Sequence, residues 1–233
     1  MSSKQLTVLF VALDGYGHLN SCIGIAQKLV QRGHRTIFAL EQAWHGEAKR
    51  FATGIEEMYY VDPNRNPKFG PNEHWINFMD GMKSTFGLPP MEALEQIDPE
   101  LYKQFFDAML NVDDGIKKII DQSKPDVIVV DSYTTIPAVY KSGIPWVWST
   151  SAQPLSCLSH DDLPPNGTDF PTKGDPKQRE EFRKAFIDKL MGVLVHFNKR
   201  ITEEFGMKPS VHGVHHQSPY LNIYAYPKEM DYL

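Results

Sequence analysis

Cysteine is almost missing from these 233 residues: Cys22 and Cys157 are the whole complement, too few for a disulfide framework. Long apolar runs are missing as well. No stretch approaches the roughly 20 residues that span a bilayer, and the apolar segment after Met1-Ser2-Ser3-Lys4-Gln5 is about seven residues long, shorter and earlier than a secretory h-region. These shortfalls predict a reducing compartment, the cytoplasm, and no membrane contact. Positive charge is not in excess: 24 Lys and Arg against 29 Asp and Glu leave a net charge of -5. That balance argues against nucleic acid or an anionic membrane as the main partner and favours small ligands. Internal repeats, heptads and low-complexity segments are absent too.

What is present is an ordinary globular composition, 41% hydrophobic and 23% charged, long enough for one large domain over residues 1–233. Short apolar runs alternate with amphipathic segments. Thr7 to Leu13 reads as a strand. Cys22, Ile25, Ala26, Leu29 and Val30 recur at helical spacing until Gly33. Arg35 to Leu40 reads as a second strand, Trp44 to Thr53 as a helix and Glu57 to Val61 as a third strand. From Asp62 to Pro90 prolines break the pattern while Trp75, Phe78, Met79, Met82 and Phe86 supply apolar bulk, an excursion able to wall a pocket. Leu101, Phe105, Met109, Val112, Ile116 and Ile119 then read as one helix.

Val127 to Val130 is continuously β-branched, as in a strand buried on both faces of a parallel sheet. A short helix from Thr135 to Lys141, a strand from Pro145 to Thr150, a loop from Ser151 to Asp175, a long helix carrying Phe182 to Phe205 and a strand from Leu221 to Tyr226 complete the chain. This order predicts a doubly wound parallel α/β sheet of Rossmann-like type. Ligands of such sheets sit beyond the carboxyl ends of the strands, where His18, Asp131 and Ser149 to Gln153 are expected to converge.

The first turn, Asp14-Gly15-Tyr16-Gly17-His18, joins a strand to a helix start. Its glycines let the backbone bend and approach an anion at the helix N-terminus, and its histidine can remove a proton from a substrate over the sheet. Gly15-Tyr16-Gly17 imitates a dinucleotide fingerprint, with Glu41 at the spacing of the ribose-binding acid, but Asn20 stands where the third glycine belongs. His18 and Asp131 admit two readings: a base with an orienting carboxylate, or two independent caps. His212, His215 and His216 lack a neighbouring cysteine or carboxylate, so they read as a solvated loop rather than a metal site.

Gly15-Tyr16-Gly17-His18-Leu19-Asn20, followed by Ile23-Gly24-Ile25-Ala26-Gln27-Lys28-Leu29 and Arg32-Gly33-His34, resembles the amino-terminal domain of UDP-dependent glycosyltransferases of the two-domain GT-B type. Pro125-Asp126-Val127-Ile128-Val129-Val130-Asp131, with Ala138 and Gly143-Ile144-Pro145, and the final Leu221-Asn222-Ile223-Tyr224-Ala225 extend the resemblance over nearly the whole chain. The resemblance implies that His18 deprotonates an acceptor hydroxyl, that Asp131 pairs with it, and that the hydroxyl attacks the anomeric carbon of a UDP-sugar with inversion. It implies a UDP-sugar co-substrate and neither metal nor other cofactor. By position, acceptor contacts fall to Tyr16, Phe78, Met79, Met82, Phe86, Trp148, Ser151, Gln153 and His160, and donor contacts to Gly17, Asn20 and Ser151. Apolar walls with few polar groups suit a small lipophilic acceptor, as in detoxifying conjugation.

That family holds most of the nucleotide-sugar in a carboxy-terminal domain whose Trp-rich and His-Cys-Gly signatures are missing here. The sequence ends directly after a strand, as if cut. The expectation is a half-enzyme with little transfer activity alone. Alternatives from other classes are a non-catalytic ligand-binding or interaction domain and one subunit of a split glycosyltransferase. A bare interdomain face would also permit a homodimer.

Overall fold

The computed structural model describes residues 4–153, 155 and 160–227, so Cys157 and the terminal Lys228 to Leu233 lie outside the described residues. Six strands form a parallel sheet in the order β3-β2-β1-β4-β5-β6. They are β1 Thr7–Ala12, β2 Arg35–Glu41, β3 Ile55–Tyr60, β4 Val127–Asp131, β5 Trp146–Thr150 and β6 Leu221–Tyr224. Around them run α1 Tyr16–Gln31, α2 Glu47–Phe51, α3 Glu73–Met82, α4 Pro90–Glu95, α5 Pro99–Asn111, α6 Asp113–Ser123, α7 Pro137–Lys141 and α8 Pro176–Glu203. Strand order reverses between β1 and β4, which makes their carboxyl ends the topological switch point.

The central strands are apolar on both faces because helices cover both. Val8, Phe10, Ala12 and Phe38 face α1 and α2 with Leu19, Cys22, Ile23 and Ala26. Leu9, Val11, Ile37 and Val130 face Ile116, Ile119 and Ile120 of α6 and Ala138 and Val139 of α7. Phe10 and Phe38 stack at 4.8 Å; each such fully buried side chain stabilises the fold by about 1.5–3 kcal/mol. Buried Cys22, beside Asp131, has its thiol pushed well up, first by burial, and so behaves as a small hydrophobe rather than a nucleophile.

Gly33 ends α1 at φ +84°, its N–H donating to Val30 O at 2.9 Å and that of His34 to Leu29 O at 3.0 Å. This left-handed stop suits glycine. Helix α8 does not lie on the sheet. It packs Phe182, Leu190 and Val193 against Leu94 and Ile97, and Phe197 and Ile201 against Leu110 and Met207.

Several expectations change. The helix read from Leu101 to Ile119 is two helices that meet at Val112, whose φ -93° and ψ 0° break the repeat. The buried Asp113 that opens α6 accepts a hydrogen bond from Ala138 N at 2.6 Å. The helix read from Trp44 contracts to a 3₁₀ turn over Gln42–Trp44 and the five-residue α2. The excursion contains α3 and a 3₁₀ turn at Lys83–Thr85. The loop before β6 is also less solvated than the sequence suggests: His215 is buried and stacks on Trp148 at 4.6 Å. His216 Nδ1 lies 2.7 Å from Thr135 Oγ1.

Candidate active site

Strand β1 ends at Ala12, opposite Asp131 at the end of β4. Gly15 N donates to Leu13 O at 2.7 Å, turning the chain into α1, and places His18 in that helix's first turn. The expected role for the glycines is corrected here. Gly15 is extended, at φ -163°, and Gly17 lies within the helix with no heavy atom within 4 Å of where a Cβ would stand. Neither uses the left-handed region, and a Cβ on Gly15 would meet the His18 ring at 3.4 Å, an ordinary contact.

The imidazole and the carboxylate meet although 113 residues separate them: His18 Nδ1 lies 2.8 Å from Asp131 Oδ1. Ser151, just past β5, brings its Oγ to 3.0 Å from the same nitrogen and its N–H to 3.4 Å from Asp131 Oδ1. Both partners are buried, His18 at 7% exposure and Asp131 at 2%. A carboxylate accepts, so Nδ1–H donates and Nε2 carries the lone pair. Asp131 Oδ2 is buried without a hydrogen-bond partner among the described residues. Among the described residues the only cationic or imidazole side chain paired with this carboxylate is His18.

Aromatic rings enclose this pair. Tyr133 stands edge-on to His18 at 5.3 Å and Trp75 at 6.2 Å, and Trp75 and Tyr133 are parallel within 8°. Phe78 and Phe105 extend the wall, 5.5 and 5.8 Å from Trp75. The wall is drawn from α3, α5 and the segment after β4. Asn72, held at φ 66° before α3, ties the excursion to the turn by accepting from Tyr16 N at 3.1 Å.

Of the residues expected to line an acceptor space, Phe78 is in this wall, Ser151 touches His18, and Gln153 is half-buried beyond β5. The others stand elsewhere. Tyr16 turns to α2, with its hydroxyl donating to Glu47 Oε2 at 3.3 Å and its ring 4.8 Å from Trp44. Trp148 belongs to the core under α6 and α7, its indole N–H donating to Ser132 O at 3.2 Å. Met82 packs on the cluster against α8, Met79 is half-buried on α3, and Phe86 is 58% exposed. His160 is exposed and accepts from Asp162 N at 3.2 Å, closing its own turn. Gly17 and Asn20 are exposed on the first turns of α1.

Tyr133 and Phe105, the latter expected only as a packing residue of its helix, belong to the wall as well. Position was the available signal: Tyr133 follows Asp131 by two residues on the edge where ligands bind. Glu41, the candidate ribose acid, instead accepts from Ala43 N at 2.7 Å and lies 3.4 Å from Arg65 Nε. Among the described residues no group of three His, Cys, Asp or Glu could hold a metal ion.

No protein-family model matches the chain, and no curated protein matches it in sequence. Solved structures do. The glycotransferase of kitacinnamycin superposes with a TM-score of 0.51 at 15% identity, over 86% of this chain and 41% of its own. The fold is that of one half of a GT-B glycosyltransferase. SsfS6, a glycosyltransferase of Streptomyces sp. SF2575, aligns at TM-score 0.48 and 16% identity over 97% of this chain and 52% of its own. Arabidopsis thaliana UGT89C1 aligns at 0.48 and 13% over 96% and 50%. The chain thus spans two fifths to about half of these three structures.

Proposed function

We propose that this chain is the acceptor-binding, base-carrying half of an inverting UDP-glycosyltransferase acting on a hydroxyl of a small lipophilic compound. The contact between His18 Nδ1 and Asp131 Oδ1 at the switch point, inside an aromatic enclosure, carries this reading. An acceptor hydroxyl within reach of Nε2 gives up its proton to the imidazole as its oxygen attacks the anomeric carbon. The bond to UDP breaks on the opposite face, and UDP leaves with the electron pair. Asp131 keeps the reactive tautomer in place and stabilises the imidazolium. Ser151 fixes the ring from a third direction. The UDP-sugar is a co-substrate; the chemistry asks for no metal and no other cofactor.

Gly17 and Asn20 at the start of α1, with Ser151, offer the donor a helix N-terminus and a few polar contacts. On this reading the donor nucleotide is held mainly by groups outside these residues, from a further domain or a second subunit. The chain alone then binds acceptor and transfers little. No helix among the described residues is long and apolar enough to cross a membrane. The compartment we propose for this small-molecule conjugation is the cytoplasm.

The test is acceptor-dependent UDP release by the chain joined to a donor-binding half. His18→Ala should lower kcat about 10²- to 10⁴-fold with acceptor affinity nearly unchanged. Near-wild-type turnover in that variant would remove the base assignment.

A further inference from the structure

Helix α3 brings Trp75 and Phe78 to the aromatic wall, yet none of its ten residues is buried. Its two ends are held differently. At the carboxyl end Gly81 lies against α5, so closely that a Cβ there would meet Leu101 Cδ2 at 2.8 Å, and Phe78 rests on Phe105 at 4.6 Å and on Tyr102 at 5.6 Å. At the amino end Trp75 meets His18 and Tyr133. A ring on a helix with no buried residue takes its position from its tethers rather than from a core.

The segment that leads into this end, residues 62–72, is a strap of local turns. Arg65 N donates to Asp62 O at 3.2 Å, Phe69 N to Asn66 O at 2.9 Å and Glu73 N to Gly70 O at 3.4 Å. Two side chains tie the strap to the turn that bears His18. Arg65, with its side chain only 5% exposed, sets Nη1 on Asp14 Oδ2 and Nε 3.4 Å from Glu41 Oε2, while Nη2 donates back to Gly70 O at 2.6 Å. Asp14 is itself fixed, its Oδ1 accepting from Trp44 Nε1 at 2.5 Å. Asn72 Oδ1 supplies the second tether, accepting from Tyr16 N at 3.1 Å. Asp14 and Tyr16 flank Gly15, just ahead of His18. A guanidinium bridging two carboxylates and a carbonyl is a rigid link, because its planar fork fixes the direction of each bond.

We propose that Arg65 and Asn72 are positioning residues that latch the strap to the His18 turn and thereby set where Trp75 stands against the imidazole. Latched, the ring keeps the wall closed around His18, and an acceptor meets a preformed site. Released, the amino end of α3 pivots on the Gly81 contact, and acceptor affinity falls with the latched fraction. That consequence rests on the acceptor-binding reading above; the latch itself does not.

The latch is read first without ligand, by NMR of the chain. Nuclear Overhauser contacts between the ring protons of Trp75 and His18 should be present in the wild type and lost in Arg65→Lys, whose single ammonium cannot hold Asp14 and Gly70 O together. Those between Phe78 and Phe105 should stay. A residue that merely supports the fold would weaken both sets together, so loss of both, or Trp75–His18 contacts unchanged in Arg65→Lys, would overturn the proposal. Should Arg65→Lys fail to fold, Asn72→Gly, which keeps the backbone angle and removes the other tether, is read in the same way. Titration with 1-naphthol then reads the consequence. Arg65→Lys should raise its Kd about fivefold, but by less than about twofold in a Trp75→Ala background, because the ring it positions is gone. Effects that multiply would show that Arg65 does not act through Trp75 and would overturn the proposal as well. A wild type that shows the ring contacts but does not bind 1-naphthol counts against the acceptor reading, and the ring contacts alone then decide the latch.

Discussion

Two histidine–aspartate pairs in this molecule have nearly the same contact distance and opposite settings. His18 and Asp131 meet at 2.8 Å with side chains 9% and 2% exposed. His196 of α8 and Asp107 of α5 meet at 2.9 Å with side chains 35% and 22% exposed. Asp107 has a second cation, Arg200, whose Nη1 donates to it at 2.8 Å, and Arg200 is also held by Glu204 at 2.8 Å. Among the described residues Asp131 has no ion-pair partner but the imidazole. A short contact is therefore not what marks a base. The mark we propose for a base is a carboxylate whose one cation among the described residues is the histidine, at a strand end where a ligand can reach the other ring nitrogen. Asp113 is a third case: it has no ion pair, only the Ala138 N–H, and burial pushes it up to about 6 despite that hydrogen bond.

Breaking the first pair should have the largest effect. His18→Ala is expected to cost about 10²- to 10⁴-fold in kcat. Asp131→Asn should fall in the same range, because an amide N–H₂ facing Nδ1 forces the proton onto Nε2 and removes the base; steady-state UDP release reads both. Next comes the enclosure. Trp75→Ala should raise the acceptor KM about tenfold with kcat within about threefold, whereas a purely structural ring would leave KM alone and lower the melting temperature.

The remaining two predictions concern stability. Asp113 has a raised folded-state pKa, so wild-type stability should fall as pH climbs from about 4 to about 6 and then level off. Asp113→Asn keeps an acceptor for Ala138 N and should add about 1–2 kcal/mol at pH 7 and nothing at pH 4; urea unfolding at the two pH values measures it. The opposite sign holds for Asp107. Burial works to raise it, but hydrogen bonds from Arg200 and His196 outweigh this and keep it below its ordinary value. Its contribution is complete above about pH 4 and is lost only in more acid solution. The smallest effect should come from His196→Ala: at most about 1 kcal/mol, because Arg200 keeps Asp107 paired, and unchanged turnover. Loss of transfer in His196→Ala would erase the distinction between the two pairs.

Much of this was legible in the sequence for identifiable reasons. Val127 to Val130 can hardly be anything but a doubly buried strand, and Leu9, Phe10 and Val11 read alike, so the parallel sheet and its edge followed. The meeting of His18 and Asp131 was legible because Asp131 directly follows one such run and His18 stands in the turn after another. The enclosure was less so. Alternation shows that Trp146 and Trp148 share a face of β5 but not which face, and the structure turns both toward α6 and α7. Met82 and Phe105 both sit on helices with aromatic neighbours. Only the packing of α8 against α4 and α5, invisible in local periodicity, sends Met82 to the satellite core and leaves Phe105 at the wall. The cluster around Arg65 was hidden because its members come from three strand ends and a loop, with no spacing to announce them.

The register of β1 on β4 sets Ala12 opposite Asp131. Strand side chains alternate faces, so a slip of one residue would carry Asp131 through the sheet to the wrong side, away from His18. His18 and Asp131 lie 113 residues apart, and parallel pairings of such separation form slowly because the chain between them must be closed first. A partly folded or misregistered chain therefore cannot bring the imidazole onto the carboxylate. The site doubles as a proofreader of its own folding, silent until the centre of the sheet is correctly assembled.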